Sequence, residues 1–191
     1  MLMRIIGGKS KGRRISVPGH GVRPTKGIIR GAIFNIVSDR IADALILDVF
    51  AGSGAMGLEA ISRGAKSVVF IEKNPRPLLE NIRAIHDDTK SVQVIKGDFR
   101  FGLRKVIPRR FDIIFVDPPY SRDYVQKTLV LISKYHLLKD DGIIVVEHHR
   151  TNQFSIPRGL SLLRKKQYQD TELSFVVYEK PSACLAEEVL E

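Results

Sequence analysis

The sequence predicts an α/β fold, a mostly parallel sheet covered by helices on both faces. Two observations carry this. Near-continuous apolar runs rich in Val and Ile recur at 45–50, 67–72, 91–97, 111–117 and 142–149, and stretches of helical spacing separate them at about 55–63, 75–86, 99–107 and 123–135. A third observation concerns the ends of this array. A basic, glycine-punctuated segment precedes it, and two strand-like runs, 160–168 and 172–180, follow it around a QDTE turn with antiparallel hairpin spacing.

Residues 4–17 read as two short strands around a Gly/Ser/Lys turn, and 18–25 as a Pro/Gly linker. Residues 26–40 place Ile28, Ile29, Ala32, Ile33, Ile36 and Val37 at helical spacing, with arginine expected on the opposite face. The expected organisation is a basic hairpin and helix over 1–40 that binds RNA, a catalytic domain over 41–181 and an acidic tail over 182–191. The 191 residues suffice to bury one sizeable core.

A single cysteine, Cys184, allows neither an internal disulfide nor a cysteine-based zinc site, and the five histidines show no ligand spacing, so no metal is expected. No apolar stretch has the length of a membrane span or a signal sequence. The expectation is a reduced, cytoplasmic protein for which a monomer suffices. The formal net charge is +10. Residues 1–40 hold nine basic residues against one acid, Asp39, so nearly all the excess sits in the first fifth of the chain. Such a localised basic arm suits a polyanion such as RNA, although a merely solvated surface can also be basic. Its candidate contacts are Arg4, Lys9, Lys11, Arg13, Arg14 and Arg23.

Gly52, Gly54 and Gly57 fit G-x-G-x-x-G between the first strand and its helix, a loop that allows close backbone approach to a ligand. Alone the motif is weak and also fits a dinucleotide site, with Glu72 at the end of the second strand accepting from ribose hydroxyls in either case. Asp48 separates the two. A carboxylate four residues before the first glycine repels a pyrophosphate but suits the sulfonium and amino groups of S-adenosylmethionine. It also has an ordinary use, ordering the glycine loop. Asp98 and Phe99, after the third strand, suit an adenine amino group and ring, and equally a helix N-cap followed by a core phenylalanine.

Asp117-Pro118-Pro119-Tyr120 closes the fourth strand. Two prolines lock φ and remove two donors, leaving a rigid corner of acceptors. The Asp117 carboxylate and Pro118 carbonyl can take the two hydrogens of an exocyclic amine and aim its lone pair, while Tyr120 stacks on the base. A turn without chemistry is the plainer reading of Pro-Pro, but its position downstream of the glycine loop favours catalysis.

Together these residues resemble the class I amino-group methyltransferases. More closely, the chain is similar to the RsmD family, guanine-N2 methyltransferases of small-subunit ribosomal RNA. The similarity runs from Arg4 to about Glu179, through RIIGG (4–8), the basic G-R-R (12–14), Arg23-Pro24-Thr25, Phe34-Asn35, DVFAGSGAMGLEAISRGA (48–65) and DPPY (117–120). The resemblance implies a Rossmann-like, mostly parallel seven-stranded sheet with an antiparallel C-terminal hairpin. It implies S-adenosylmethionine as methyl donor, with S-adenosylhomocysteine as product, and ribosomal RNA or the small subunit as partner. Asp48, Phe50, Gly52 and Gly54 would line the cofactor, Glu72 its ribose, Asp98 and Phe99 its adenine, and Thr25 its methionyl end. Asp117, Pro118, Pro119 and Tyr120 would hold the target base. Gly31 stands where the family pattern has an acid, and with Gly27 it weakens the helix by about 1 kcal/mol per glycine. The alternatives are an adenine-N6 methyltransferase acting on DNA or RNA, which DPPY permits; a nicotinamide oxidoreductase, which Asp48 opposes; and a non-catalytic RNA-binding protein.

Overall fold

The computed structural model describes residues 2–17, 24–85, 91–119 and 123–179, with the side chains of residues 24–26 excepted. A two-stranded ribbon, β1 (Leu2–Arg4) and β2 (Arg14–Ser16), leads into helix α1 (Pro24–Ile36). Then follow β3 (Leu45–Asp48), α2 (Ala55–Ser62), β4 (Ser67–Glu72), α3 (Arg76–Ile85), β5 (Val92–Lys96), α4 (Phe99–Lys105), β6 (Phe111–Val116) and α5 (Tyr124–Lys134). Strands β7 (Leu138–His149), β8 (Leu160–Tyr168) and β9 (Thr171–Tyr178) close the chain. The seven-stranded sheet has the order β5-β4-β3-β6-β7-β9-β8, parallel from β5 to β7, with β9 antiparallel to both β7 and β8.

The apolar runs explain this layering. Successive strand side chains point to opposite faces, so a strand apolar throughout feeds two cores. Ile46, Val68, Phe70, Ile113, Phe115, Ile143 and Val145 face one core with α1, α2 and α3. Leu47, Val69, Ile71, Ile114, Val116, Ile144 and Val146 face the other with α4 and α5.

Three local expectations change. Pro24 and Thr25, expected in the linker, open α1, because a proline at a first helical turn lacks only an N–H that would have no partner there. Arginine is not confined to the outer face of α1. Ile28 is 64% exposed whereas Arg30 is 4% exposed, because the ribbon backbone covers the Arg30 face. Its guanidinium donates to the Arg4 carbonyl and to the Met3 sulfur. Finally, β7 begins at Leu138 rather than 142, since Leu138 pairs with Phe111 before a register shift into Ile113–Ile143. A Cβ on Gly27 or Gly31 would meet nothing, so no close packing demands either glycine.

The ribbon is welded to the sheet domain. Ile5 and Ile15 lie in the first core. Buried Glu59 of α2 accepts from Ile6 N–H at 2.7 Å, Gly7 N–H at 2.8 Å and Arg63 Nε at 2.7 Å, with Arg30 Nε at 3.8 Å. Ser62 adds its carbonyl to Lys9 N–H at 2.7 Å and its hydroxyl oxygen to Ser10 N–H at 2.9 Å. Gly8 has φ +76, and a Cβ there would lie 1.8 Å from the Ser62 carbonyl oxygen, so only glycine permits this approach. Asn81 of α3 exchanges hydrogen bonds with Ser16 at 2.8 Å each and donates to the Ser53 carbonyl at 2.9 Å.

Glu59→Ala leaves two backbone N–H groups and two cations facing an apolar hole. It is expected to lower the unfolding free energy by about 3–5 kcal/mol, with Glu59→Gln losing less. Urea unfolding measures this, and a loss below about 1 kcal/mol would show that the ribbon is held by its apolar packing alone.

Candidate active site

The order of the parallel strands reverses direction between β3 and β6, and open α/β sheets bind ligands in the crevice beyond the strand C-termini at such a point. Asp48 ends β3, Glu72 ends β4 and Asp117 directly follows β6. Each lies two residues beyond a member of the first core, Ile46, Phe70 or Phe115, so all three belong to the same sheet face. Two adjoining cavities open there. One, of about 710 Å³, is bordered by Gly97, Asp98, Phe99 and Tyr124; the other, of about 390 Å³, by Met3, Val17, Arg30, Asp48 and Glu147. Phe50, Gly52, Glu72, Asn74 and Asp117 border both.

The glycine loop is shaped by hydrogen bonds to these acids. Gly57 N–H donates to Asp48 Oδ2 at 3.1 Å, so Asp48 orders the loop while bordering the crevice. Gly52 N–H donates to Glu72 Oε2 at 2.7 Å and Asn74 N–H to Oε1 at 2.8 Å, leaving each oxygen one further lone pair. Gly54 caps α2 with φ +81, and a Cβ there would meet Leu78 Cδ1 at 2.4 Å. Phe50 has φ 98, a strained conformation for a bulky residue, and Phe50 and Ala51 both donate to the Ile71 carbonyl, at 3.2 and 3.1 Å. The turn thereby carries the Phe50 ring to Phe99, 5.1 Å between centroids, and to Tyr124, 6.0 Å and nearly parallel.

Asp98 caps α4, accepting from Arg100 N–H at 3.0 Å, and pairs with Arg100 Nη1 at 3.5 Å; Phe99 is buried. Both therefore take the helix-cap and core positions while bordering the larger cavity. Pro118 and Pro119 line a small cleft with Asp117 and Glu147. Tyr120 and Arg23 lie outside the described residues, as does the Thr25 side chain in the first turn of α1. Arg4, Lys9, Lys11, Arg13 and Arg14 are exposed along the ribbon, whose Met3 and Val17 border the smaller cavity. Arg13 spends one N–H on the Ile85 carbonyl at 2.6 Å.

Sequence reasoning missed Arg30, Tyr124 and Glu147. The signal for Glu147 was an acid closing the apolar run IIVV, as Asp117 closes IIFV. Tyr124 stands four residues past Tyr120 and Arg30 among helical isoleucines, positions that carry no distinguishing local signal. Among the described residues no group of acids, histidines or cysteines is placed to hold a metal ion, and no helix is long and apolar enough to cross a membrane.

The lining fits a cationic nucleoside. Three rings border the larger cavity for a flat heterocycle, Glu72 has free lone pairs midway, and Asp48, Asp117 and Glu147 line the other end. The cations on the two walls, Lys73 in one and Arg30 in the other, are outnumbered by carboxylates.

Burial pushes the Asp48 carboxyl up to about 7, helped by the neighbouring Asp117 and Glu72 charges and opposed by the Gly57 hydrogen bond. Between the unfolded value of 3.8 and about 7 the folded chain holds a proton that the unfolded chain has lost. Asp48 therefore contributes stability that is full below about pH 4 and is lost as pH rises towards 7. The melting temperature of the ligand-free protein is expected to fall through this window, and Asp48→Asn to flatten the fall. Thermal unfolding from about pH 4 to 8 checks it, an unchanged slope in the variant being the contrary result.

The comparisons with known proteins agree with this architecture. The family model described as Conserved hypothetical protein 95 matches residues 3–177. Ribosomal RNA small subunit methyltransferase D of Escherichia coli strain K12 is 37% identical over 169 residues, 86% of this chain and 84% of that protein. The protein of the same name from Buchnera aphidicola of Acyrthosiphon pisum is 34% identical over 168 residues, 85% of this chain and 86% of its own. The solved structure of yhhF from Escherichia coli superposes with a TM-score of 0.82 at 33% identity, covering 94% of this chain and 99% of that one. With its class I methyltransferase fold and a family match spanning nearly its whole length, the chain belongs to the Conserved hypothetical protein 95 family, the RsmD family.

Proposed function

We propose that the chain methylates the exocyclic N2 amino group of a guanine in small-subunit ribosomal RNA, using S-adenosylmethionine. The observation that carries the reading is Asp117, set at the strand-order reversal where the two cavities meet and followed by the rigid Pro118-Pro119 corner. The named relatives, methyltransferases of small-subunit ribosomal RNA, support the substrate.

In this reading the larger cavity takes the adenosine, its ring against Phe50, Phe99 and Tyr124, its amino group at Asp98 and its ribose at Glu72. Asp48 faces the positively charged end. The cofactor, when bound, supplies a methyl group activated by a sulfonium. Asp117 and the Pro118 carbonyl accept the two amino hydrogens of the base and aim the nitrogen lone pair at that methyl. Methyl transfer would place positive charge on the amino nitrogen beside the Asp117 carboxylate, which would stabilise it and receive the proton that nitrogen sheds. A target in paired RNA must first leave its stack.

The ribbon supports an RNA partner. Arg4 and Arg14 sit directly opposite each other across β1 and β2 and both are exposed. Like charges so placed destabilise a ribbon unless an anion joins them. Exposed Lys9, Lys11 and Arg14 form no ion pair among the described residues.

Labelled cofactor and undermethylated small subunits, followed by nucleoside mass spectrometry, test the reaction. N2-methylguanosine is expected; N6-methyladenosine would replace guanine by adenine as the target. Asp117→Ala is expected to slow transfer at least about a hundredfold, as removing a group that stabilises the transition state does, and to leave cofactor affinity within about threefold. Equal losses in both would remove Asp117 from the chemistry. Neutralising Lys9, Lys11 and Arg14 together is expected to reduce the slope of log affinity against log salt by about 2, since each phosphate that a cation neutralises on single-stranded RNA adds about 0.7 to that slope. An unchanged slope would take the ribbon off the RNA.

A further inference from the structure

Glu147 stands beside Asp117. Val116 of β6 pairs with Val146 of parallel β7, so the next residues continue the same register, Asp117 just past the end of β6 and Glu147 within β7. Neighbouring strands lie about 4.8 Å apart. Glu147 lies two residues beyond core-facing Val145, as Asp117 lies two beyond Phe115, which puts both on one sheet face. Both border the smaller cavity, as Arg30 does, and both border the cleft at Pro118 and Pro119. Glu147 is half-buried there.

An acceptor holding an amino group does not by itself distinguish guanine from adenine, since both bases offer two amino hydrogens. The neighbouring ring nitrogen does. In guanine N1 carries a hydrogen beside the 2-amino group; in adenine N1 is a bare lone pair beside the 6-amino group. A carboxylate accepts only. Placed against the ring nitrogen it receives the guanine N1–H and opposes the adenine lone pair, leaving two acceptors face to face. Sites built to bond one such group reject the analogue that lacks it far more strongly than apolar pockets reject a missing methylene.

We propose that Glu147 is a specificity-determining residue that accepts the N1–H of the target guanine, one strand away from the Asp117 that holds its amino group. This rests on the guanine-N2 reading above and deepens it.

2-Aminopurine keeps the 2-amino group and replaces N1–H with a lone pair. Small-subunit RNA, assembled with its proteins, is prepared with guanine or 2-aminopurine at the nucleotide mapped in the mass-spectrometric assay. Single-turnover rates are compared for the wild-type protein, Glu147→Gln and Glu147→Ala. Calorimetric affinity for S-adenosylhomocysteine is measured on each preparation. The wild-type protein is expected to favour guanine by at least about a hundredfold. Both variants are expected to bring the ratio down at least about tenfold with the calorimetric affinity kept within about threefold, because glutamine can donate to or accept from the ring nitrogen and alanine does neither. An unchanged ratio in variants that still bind would overturn the role of Glu147 and leave the guanine reading standing. A variant that has lost S-adenosylhomocysteine binding would instead assign Glu147 to the cofactor wall. Absence of N2-methylguanosine from the wild-type reaction would overturn the underlying reading itself.

Discussion

A fully buried carboxylate holds the two parts of this protein in register. Glu59 stands inside α2, and the groups it satisfies come from elsewhere: the backbone of Ile6 and Gly7 where the ribbon turns away from its own pairing, and the guanidinium of Arg63 one helical turn on, with Arg30 close by. A charge taken out of water needs such partners in full, and arrangements that leave one unmatched are disfavoured by several kcal/mol. Its contribution lies less in net stability than in placement. The α2 helix begins at the glycine loop, and the ribbon sends Met3 and Val17 to the edge of the crevice. One side chain thus relates the loop to the ribbon.

The crevice follows a different logic. Asp48, Glu72, Asp117 and Glu147 lie at or near the C-terminal ends of four adjacent parallel strands on one face. Burial raises the Asp48 carboxyl, with a smaller push from the neighbouring Asp117 and Glu72 charges, which is the cost of setting acids in a low-dielectric site. Backbone strain is present here as well, in the positive φ of the bulky Phe50. Stability is given up where the ligand will be, while the two cores beneath remain apolar and closely packed.

Much of this was legible in the sequence because its signals are local. Apolar runs announce strands, and a glycine loop or DPPY announces a strand end by its own composition. The seven-stranded sheet and antiparallel ending implied by the family resemblance stand in the structure. What local signals could not carry was any property that depends on a partner distant in the chain. Ile28 had the right spacing for the core and faces outward. Arg30 had the composition of a surface residue and is buried, because the carbonyl of Arg4 and the sulfur of Met3, 26 and 27 residues away, receive it. The acid at 147 closes an apolar run much as Asp117 does, but its place beside Asp117 appears only in the register between β6 and β7. The β7 start at Leu138 depended on a register shift against β6, again a property of two strands together.

Because Ile5 and Ile15 share the first core and Gly8 touches the end of α2, no hinge lies between the ribbon and the sheet among the described residues. The Arg4–Arg14 pair and the crevice at Asp117 are therefore two points on one stiff body, like the jaws of a caliper. In the proposed reading, an RNA that gripped one would have to present its base to the other at a set offset. Selection would then act on the spacing between backbone and extruded nucleotide, a property of folded RNA, and the neighbouring letters of the sequence would not need to be read.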